Sequence, residues 1–269
     1  GGLVGAGKHH EAGMVALDDP VTRWLPWFKP ALPSGERPAI RIADLMTHRS
    51  GLGSAFGQRA GEGYDAGGIS DGLDASGLTL EENMRRLATM PLFDPPGRQW
   101  RYSLGIDLLG LILERAASQP LGQIVAERVT RPLGMTDTMF VAPPTTRLVT
   151  PYADGPVAPV RMEDAQTVRI GPGLIRFAPA RAFDTRAFPS GGTGLVGTAA
   201  DYARFLDAVA QGGGGIFSLA MARRFVTHAV GDAIAGGPGS ALGWGLGVAV
   251  MRDLAATRSP LSPGSWLWG

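Results

Sequence analysis

Cysteine is absent from the 269-residue chain, and lysine and histidine are scarce. The missing cysteine excludes disulfide bonds, a thiol nucleophile and a thiolate metal site. Two of the four histidines, His9 and His10, are adjacent and therefore cannot share one face of a helix. We accordingly expect no metal site built on histidine, and no cofactor of another kind.

Long apolar runs are also missing, so the sequence contains no segment of the length that crosses a bilayer. The first residues lack the basic segment and apolar stretch of a signal peptide, and we expect a cytoplasmic protein. The formal net charge is +1 and 44% of the residues are hydrophobic, which is typical of a globular protein. This charge gives no attraction to nucleic acid or membranes, so we expect small molecules as partners. The oligomeric state is left open.

Two glycine-rich patterns resemble nucleotide-binding motifs, but each lacks a feature that nucleotide binding requires. Residues 2–9 approach a phosphate-binding loop, yet His9 stands where that loop needs a hydroxyl for Mg²⁺. Residues 192–197 match GxGxxG, but Phe188-Pro-Ser-Gly precedes them where a buried strand is required. Neither pattern predicts a nucleotide site.

A third pattern, Gly68-Ile-Ser70-Asp-Gly72, matches the GxSxG elbow that presents a nucleophilic serine. An elbow needs an apolar strand before the serine and a helix after it, whereas both flanks here are polar and rich in glycine. We interpret the segment as a surface loop. The alternative is that Ser70 is a nucleophile in a triad with an aspartate and His228.

Helix and strand signals are clear at a few places. Thr79 and Glu82 form a capping box, which predicts a helix over roughly 80–90. Thr198 and Asp201 likewise predict the start of a helix. We expect its inward face to consist of Tyr202, Phe205, Leu206 and Val209. The best strand signal is the alternation of Trp244, Leu246, Val248 and Val250.

The stretch from Asp94 to Arg115 combines a rigid turn, a tyrosine and a helix. The Pro95-Pro-Gly turn is stiff, and the apolar residues that begin at Leu104 recur at helical spacing, with Ser103 as the expected N-cap. Tyr102, between the turn and the helix, is well placed to project into a cleft. The alternative interpretation is a half-buried core aromatic.

Several segments, in this order, resemble the class C β-lactamase-like serine hydrolases, and most of all the family VIII carboxylesterases. They are Leu17-Asp-Asp-Pro-Val, Ile42-Ala-Asp-Leu-Met-Thr-His-Arg-Ser-Gly-Leu52, Pro96-Gly-Arg-Gln-Trp-Arg-Tyr-Ser103, Asp107-Leu-Leu-Gly110, Arg131-Pro-Leu-Gly-Met-Thr-Asp-Thr138, Gly191-Gly-Thr-Gly-Leu195 and Thr198-Ala-Ala-Asp-Tyr202. The resemblance covers nearly the whole chain after Glu11.

The fold that this resemblance implies is an α/β fold of the α+β type, the β-lactamase/DD-peptidase-like fold. It implies one domain over residues 1–269, with a helical subdomain over roughly 20–210 and the start of a sheet subdomain over roughly 241–269. The antiparallel sheet is expected to be incomplete at both ends, and the alternating strand from Trp244 to Val250 is then expected to expose its apolar face to water.

The resemblance also implies an activity and a site. Tyr102 matches the family tyrosine, which acts as the base, while Trp268 and Gly269 match the Trp-Gly that lines the opposite wall. Tyr64 belongs to a stretch typical of the esterase branch; we expect it at the cleft mouth or as an exposed loop aromatic. Leu104 replaces an asparagine that reads substrate amides in the lactamases, which favours small esters as substrates.

One departure from the family is large, because the chain contains no Ser-x-x-Lys motif, which supplies the nucleophile and the lysine beside it. We therefore expect a fragment, inactive as written, of a carboxylesterase that forms an acyl-enzyme. The alternatives are a penicillin-binding or β-lactamase-type hydrolase, and a non-catalytic binding module on the same fold.

Overall fold

The computed structural model describes residues 14–231, 241–252 and 260–268. Its α-helices are α1 Ile42–Met46, α2 Gly63–Ala66, α3 Leu80–Leu87, α4 Gly105–Ala117, α5 Leu121–Val125, α6 Ala199–Ala210 and α7 Leu219–Phe225. Its strands are β1 Tyr152–Ala153, β2 Val160–Arg161, β3 Gln166–Ile170, β4 Gly173–Phe177, β5 Leu242–Trp244, β6 Ala249–Met251 and β7 Trp266–Leu267. Short 3-10 helices cover Val21–Arg23, Ala55–Gly57 and Pro179–Phe183, and a π-helical turn covers Ala126–Thr130. The pattern at residues 2–9 lies outside the described residues.

The central element is α4, whose residues from Gly105 to Leu113 are all buried. A helix that is apolar on every side must be surrounded, and α1, α3 and α5 pack around it. Gly105 faces α1, where a Cβ would lie in ordinary contact with the Leu45 side chain at 3.4 Å. Together these helices form the main hydrophobic core.

The capping signals of the sequence are confirmed at α3. The Thr79 hydroxyl accepts the Glu82 N–H at 3.1 Å, and the Glu82 carboxylate accepts the Thr79 N–H at 2.7 Å. At α4 the expected N-cap is wrong by one residue. Leu104 is the N-cap, and the Ser103 hydroxyl instead accepts the Gly105 N–H at 3.3 Å.

Helix α6 starts as the sequence predicts, because the Thr198 hydroxyl accepts the Asp201 N–H at 3.2 Å. Its inward face is narrower than expected. Val209 is buried, but Tyr202 is 49% exposed, so the expectation that Tyr202 faces the core is wrong. The glycine-rich segment after α6 folds back on the last turn of the helix, where a Cβ at Gly214 would lie 2.5 Å from the Ala208 Cβ.

The predicted strand from Trp244 to Val250 is a hairpin of two strands. Its chain reverses between β5 and β6, where the Gly245 N–H donates to the Val248 carbonyl at 2.9 Å. Gly245 is required at this turn, because a Cβ there would lie 2.3 Å from the Phe225 carbonyl oxygen. Alternation of apolar residues alone could not separate one long strand from two short ones.

Strands β5, β6 and β7 form an antiparallel sheet in that order. The expectation that its apolar face meets water is wrong, since Trp244, Leu246, Val248 and Val250 are each 2–6% exposed. Leu246, Val248 and Val250 join the same core as the helices, and Trp244 packs in a small cluster with Val230, Ala249 and Trp100.

Two further antiparallel hairpins, β1–β2 and β3–β4, lie between residues 152 and 177. The β3–β4 hairpin packs on the 3-10 turn at Ala55–Gly57. No helix within the described ranges is both long and apolar enough to pass through a membrane. The division of the chain into a helical and a sheet subdomain stays a prediction.

Candidate active site

Tyr102 is held in place by loop 48–53, which lies far before it in the chain. The His48 carbonyl accepts the Arg101 N–H at 2.8 Å, and the Gly53 carbonyl accepts the Leu104 N–H at 3.0 Å. These two backbone bonds lie on either side of Tyr102. The position of the tyrosine is therefore fixed by loop 48–53 as much as by the helix that follows.

Gly51 is the residue that lets the two loops meet. Its φ is +79°, and a Cβ at this position would lie 2.0 Å from the Asp94 carbonyl oxygen. The Phe93 N–H donates to the Gly51 carbonyl at 2.8 Å and completes the contact. Both the left-handed backbone and the close approach require a glycine here, which explains the Ser50-Gly51 pair.

Aromatic rings surround the Tyr102 ring. His48 lies 4.8 Å away, Phe56 5.1 Å and Trp268 5.4 Å between ring centroids. The Trp268 indole is nearly parallel to the phenol, with an interplanar angle of 24°. Tyr102 and Trp268, both predicted from the sequence as site residues, are therefore in contact.

The sheet carries a second layer of aromatic side chains behind this contact. Trp244, at the end of β5, lies 5.0 Å from Trp268 at 88° and 5.2 Å from Trp100. Trp268 directly follows β7, so the sheet brings both indoles to the start of α4. Trp244 and Phe56 carry no signal in the sequence that would separate a site residue from a core residue.

His48 is a neutral component of the aromatic cluster. It is 2% exposed, and its Nδ1 lies 3.3 Å from the Ser103 hydroxyl. Burial lowers the pKa of His48 from 6.5 to about 3, so the imidazole carries no charge at neutral pH. His48 is therefore a structural hydrogen-bonding residue in this cluster.

Tyr102 is a neutral phenol in this environment. Burial, followed by the negative charges of Asp107 and Asp71, raises its pKa to about 12. Burial also raises the pKa of Asp71 to about 6 and that of Asp107 to about 7. Of these two carboxyl groups, only that of Asp107 could be noticed in the sequence, because it is the first residue of the family segment Asp107-Leu-Leu-Gly110.

Tyr64 lies in the core. The expectation of an exposed loop aromatic or one at the cleft mouth is wrong, because the side chain is 1% exposed. Its hydroxyl accepts the Gly53 N–H at 3.1 Å, and burial raises its pKa to about 12. Tyr64 thus supports loop 48–53 from behind, and this burial leaves it no surface for substrate. Gly269 lies outside the described residues.

The GxSxG segment forms a closed polar loop. Ser70 is 4% exposed, its hydroxyl donates to Asp74, and its backbone N–H and carbonyl both bond to the Asn83 side chain at 2.9 Å. His228 is engaged elsewhere, since Nδ1 accepts the Trp244 N–H at 3.1 Å and Nε2 lies 3.0 Å from the Gly231 carbonyl. The structure does not bring Ser70 and His228 together as a triad.

Two further observations delimit the site. In the part of the chain that the structure describes, no three His, Asp or Glu side chains are arranged to hold a metal ion. A cavity of about 410 Å³ lies between α6, α5 and the π-helical turn, with Tyr202 and Phe205 among its walls, but it includes none of the residues around Tyr102.

The chain belongs to the beta-lactamase family, whose sequence model matches residues 2–269. The fold is accordingly the β-lactamase/penicillin-binding-protein-like fold of the α+β type, as the sequence predicts. The chain is 46% identical to Esterase EstB of Burkholderia gladioli over 263 residues. That match covers 96% of this chain and 66% of the esterase, so the chain spans just under two thirds of this relative.

The solved structures agree with this assignment. The structure of EstCE1, "a hydrolase with promiscuous acyltransferase activity", matches all of this chain and 71% of its own, with a TM-score of 0.94 and 39% identity. A penicillin binding protein from Bacillus halodurans matches 95% of this chain and 67% of its own, with a TM-score of 0.64 and 18% identity. The second likeness concerns the fold alone.

Proposed function

We propose that the whole protein hydrolyses small carboxylic esters through an acyl-enzyme and that Tyr102 is the general base. The observation that supports this most is the contact of Tyr102 with Trp268, the two residues that the family resemblance assigns to the catalytic cleft. The likeness to an esterase at 46% identity supports the same reaction class.

The proposed reaction has two steps. A serine hydroxyl attacks the ester carbonyl while its proton passes to Tyr102, and the alcohol leaves with that proton. Water then attacks the acyl-enzyme and restores the serine. The family assigns this serine, and a lysine beside it, to a Ser-x-x-Lys motif that the chain does not contain.

The lysine has a definite task in this proposal. With a pKa of about 12, the Tyr102 hydroxyl is protonated at neutral pH, so it cannot take up the proton of the serine. A nearby ammonium group favours the phenolate, and each unit of pKa corresponds to ~1.36 kcal/mol. We therefore expect the 269-residue chain by itself to give no enzymatic turnover, and the whole protein to be the active form.

Leu104 supports esters rather than amides as substrates. It stands where the lactamases have an asparagine, and here it is 5% exposed and serves as the N-cap of α4. A buried leucine offers no polar group to a substrate amide. A penicillin-binding or β-lactamase-type activity is accordingly the weaker candidate.

The test compares substrates on the whole protein. We expect turnover of p-nitrophenyl acetate and butyrate and much slower turnover of a chromogenic cephalosporin and a D-alanyl-D-alanine peptide. Faster turnover of the lactam or the peptide would replace the esterase proposal. Binding of the p-nitrophenyl esters without any turnover would favour the non-catalytic binding module.

We propose acyl transfer to alcohols as a second activity. The aromatic side chains around Tyr102 favour an apolar acceptor over water. The similar protein EstCE1, with its promiscuous acyltransferase activity, supports the same possibility for this fold. Adding benzyl alcohol to the p-nitrophenyl butyrate assay should give benzyl butyrate. Formation of butyric acid alone would exclude the transfer.

A further inference from the structure

Phe56 is an aromatic side chain at the site to which the reaction above gives no part. Its ring centroid lies 5.1 Å from that of Tyr102, with an interplanar angle of 37°. Among the described residues, His48 and Trp268 also contact the Tyr102 ring, but His48 is only 2% exposed. Phe56 is half-buried and Trp268 is 45% exposed. Of these three rings, only Phe56 and Trp268 therefore offer surface to a molecule bound beside Tyr102.

The proposed reaction determines which part of the ester lies beside Tyr102. The Tyr102 hydroxyl takes the proton of the serine and returns it to the alcohol oxygen as the bond between that oxygen and the acyl carbon breaks. This transfer requires the alcohol oxygen to come within about 2.6–3.2 Å of the Tyr102 hydroxyl. The acyl chain is joined to the carbonyl carbon, one bond further from the proton. The rings that contact Tyr102 are accordingly closest to the alcohol portion of the ester.

A short turn holds the backbone of Phe56. Phe56 is the middle residue of the 3-10 helix Ala55–Gly57. The Gln58 N–H donates to the Ala55 carbonyl at 3.0 Å, and the Gln58 side-chain amide donates to the Ser54 carbonyl at 3.0 Å. These two bonds tie together the residues on either side of Phe56, so its backbone is fixed locally.

The β3–β4 hairpin supports this turn from a distant part of the chain. A Cβ at Gly173, the first residue of β4, would lie 2.5 Å from the Phe56 Cα and 2.6 Å from the Ala55 carbonyl oxygen. The Pro172 carbonyl accepts the Ala60 N–H at 3.3 Å. Because both contacts at Gly173 are with backbone atoms, a larger residue there would have to displace the turn itself. The hairpin therefore sets the position of Phe56.

We propose that Phe56 is a specificity-determining residue: supported by the β3–β4 hairpin through Gly173, its ring packs against the alcohol portion of the ester and favours flat aromatic alcohols over small aliphatic ones. Aromatic rings attract one another in such offset and tilted arrangements. The same contact would serve the acceptor alcohol in acyl transfer. The preference for aromatic alcohols rests on the proposed function, whereas the support of Phe56 by the hairpin does not.

The substrate test varies the alcohol and the acid separately in the whole protein. With butyrate as the fixed acid, kcat/KM for benzyl butyrate is compared with that for methyl butyrate by titration of the acid released. We expect Phe56→Ala to lower the benzyl-to-methyl ratio about two- to tenfold, the size of one aromatic pair. With p-nitrophenol as the fixed alcohol, the octanoate-to-acetate ratio should stay the same. An unchanged benzyl-to-methyl ratio would overturn the proposal, as would an equal change in the octanoate-to-acetate ratio.

Two matched variants separate the ring contact from a general change in structure. Phe56→Tyr keeps the ring and should keep the benzyl-to-methyl ratio of the unsubstituted protein. Phe183→Ala removes another phenylalanine of a 3-10 helix, Pro179–Phe183, which is 37% exposed, and it should also leave the ratio unchanged. A lowered ratio in either variant would contradict the specific role of the Phe56 ring.

The support by the hairpin can be measured in the 269-residue chain without any activity. The four tyrosines are replaced by 3-fluorotyrosine and followed by fluorine NMR. Loss of one resonance in Tyr102→Phe assigns the Tyr102 signal. Phe56→Leu should move this signal, because an aromatic ring beside the phenol is lost. Gly173→Ala should move it as well, because the added Cβ displaces the turn that carries Phe56.

Gly171→Ala is the matched control for the hairpin. Gly171 has a φ of +55° and nothing within 4 Å of an added Cβ, so the substitution strains the hairpin without touching the turn. It should leave the Tyr102 signal in place. An equal movement in Gly171→Ala, or no movement in Gly173→Ala, would contradict the support by the hairpin. Phe56→Leu and the ester ratios test the contact with Tyr102 even where Gly173→Ala does not fold.

The outcomes distinguish this proposal from the proposed function. Complete lack of ester turnover in the whole protein, with the NMR changes present, would remove the proposed function and leave the support of Phe56 by the hairpin. Ester turnover with an unchanged benzyl-to-methyl ratio in Phe56→Ala and an unmoved Tyr102 signal in Phe56→Leu would remove the role of Phe56 and leave the esterase.

Discussion

The Tyr102 phenol lies against the Trp268 indole with a centroid separation of 5.4 Å, and the two rings belong to different layers of the fold. Tyr102 precedes the central helix α4, whereas Trp268 follows the last strand, β7. Their contact is the point at which the helical part and the sheet meet at the candidate site.

Tyr102→Phe tests whether this contact marks the catalytic centre. In the whole protein the change should lower kcat for p-nitrophenyl butyrate by ~10²–10⁴, the usual span for general acid–base catalysis. The substitution removes only the hydroxyl and keeps the ring that packs against Trp268, so the thermal transition should hardly move. Near-full activity in the Phe variant would place the site elsewhere.

Ser70→Ala tests the GxSxG alternative. We expect activity close to that of the unsubstituted protein, because Ser70 is buried in its own loop and its hydroxyl is committed to Asp74 and the Gly72 N–H. Stability should fall by ~0.5–1.5 kcal/mol for the lost hydrogen bonds. Urea unfolding and the ester assay measure the two effects separately, and an inactive but folded variant would make Ser70 the nucleophile.

Gly51→Ala tests the junction that positions Tyr102. Its Cβ would lie 2.0 Å from the Asp94 carbonyl oxygen, on a backbone with a φ of +79°. Gly35→Ala is the matched control, since Gly35 has a φ of +88° and nothing within 4 Å of the added Cβ. We expect ~1 kcal/mol of destabilisation at Gly35 from backbone strain alone, and at least ~2 kcal/mol more at Gly51. Equal losses in urea unfolding would show that the loop adjusts freely.

His48 makes stability depend on pH in acid. Its pKa falls from 6.5 to about 3 on folding, so between these values only the unfolded chain binds the proton. Stability from this residue is present above pH 6.5 and is lost as the pH falls toward 3, by roughly 3–5 kcal/mol in all. His48→Asn keeps a residue that tolerates the left-handed backbone at a φ of 53°. Between pH 7 and pH 4 the variant should lose clearly less stability than the unsubstituted chain.

Asp107 makes stability depend on pH in the opposite direction to His48. Its pKa rises from 3.8 to about 7 on folding, so between these values the folded chain holds a proton that the unfolded chain has released. Stability from this residue is therefore lost as the pH rises from 4 to 8. Asp107→Asn removes the effect, and its stability relative to the unsubstituted chain should rise by roughly 2–4 kcal/mol over that range. A relative stability independent of pH in urea unfolding would contradict the buried charge.

Local signals determined the parts of the fold that depend on near neighbours in the chain. Helices α3 and α6 start where Thr79 and Thr198 predict, because a cap needs only three residues and their own backbone. The family segments predicted the fold class, which the family match confirms, and they made Tyr102 and Trp268 candidate site residues. Their order in the sequence was sufficient, since it reflects a whole fold rather than a local preference.

Long-range contacts decided the rest. The polar, glycine-rich sequence around Tyr64 predicts an exposed loop. In the fold its hydroxyl accepts the Gly53 N–H and its ring is buried. The segment from Trp244 to Val250 reverses direction and packs so close to the Phe225 carbonyl oxygen that Gly245 has no room for a Cβ. The pKa values of Asp107 and Asp71 rise because the folded chain buries both carboxyl groups. Burial and proximity between distant segments cause each of these outcomes, and neither is encoded in residues that are close together in the sequence.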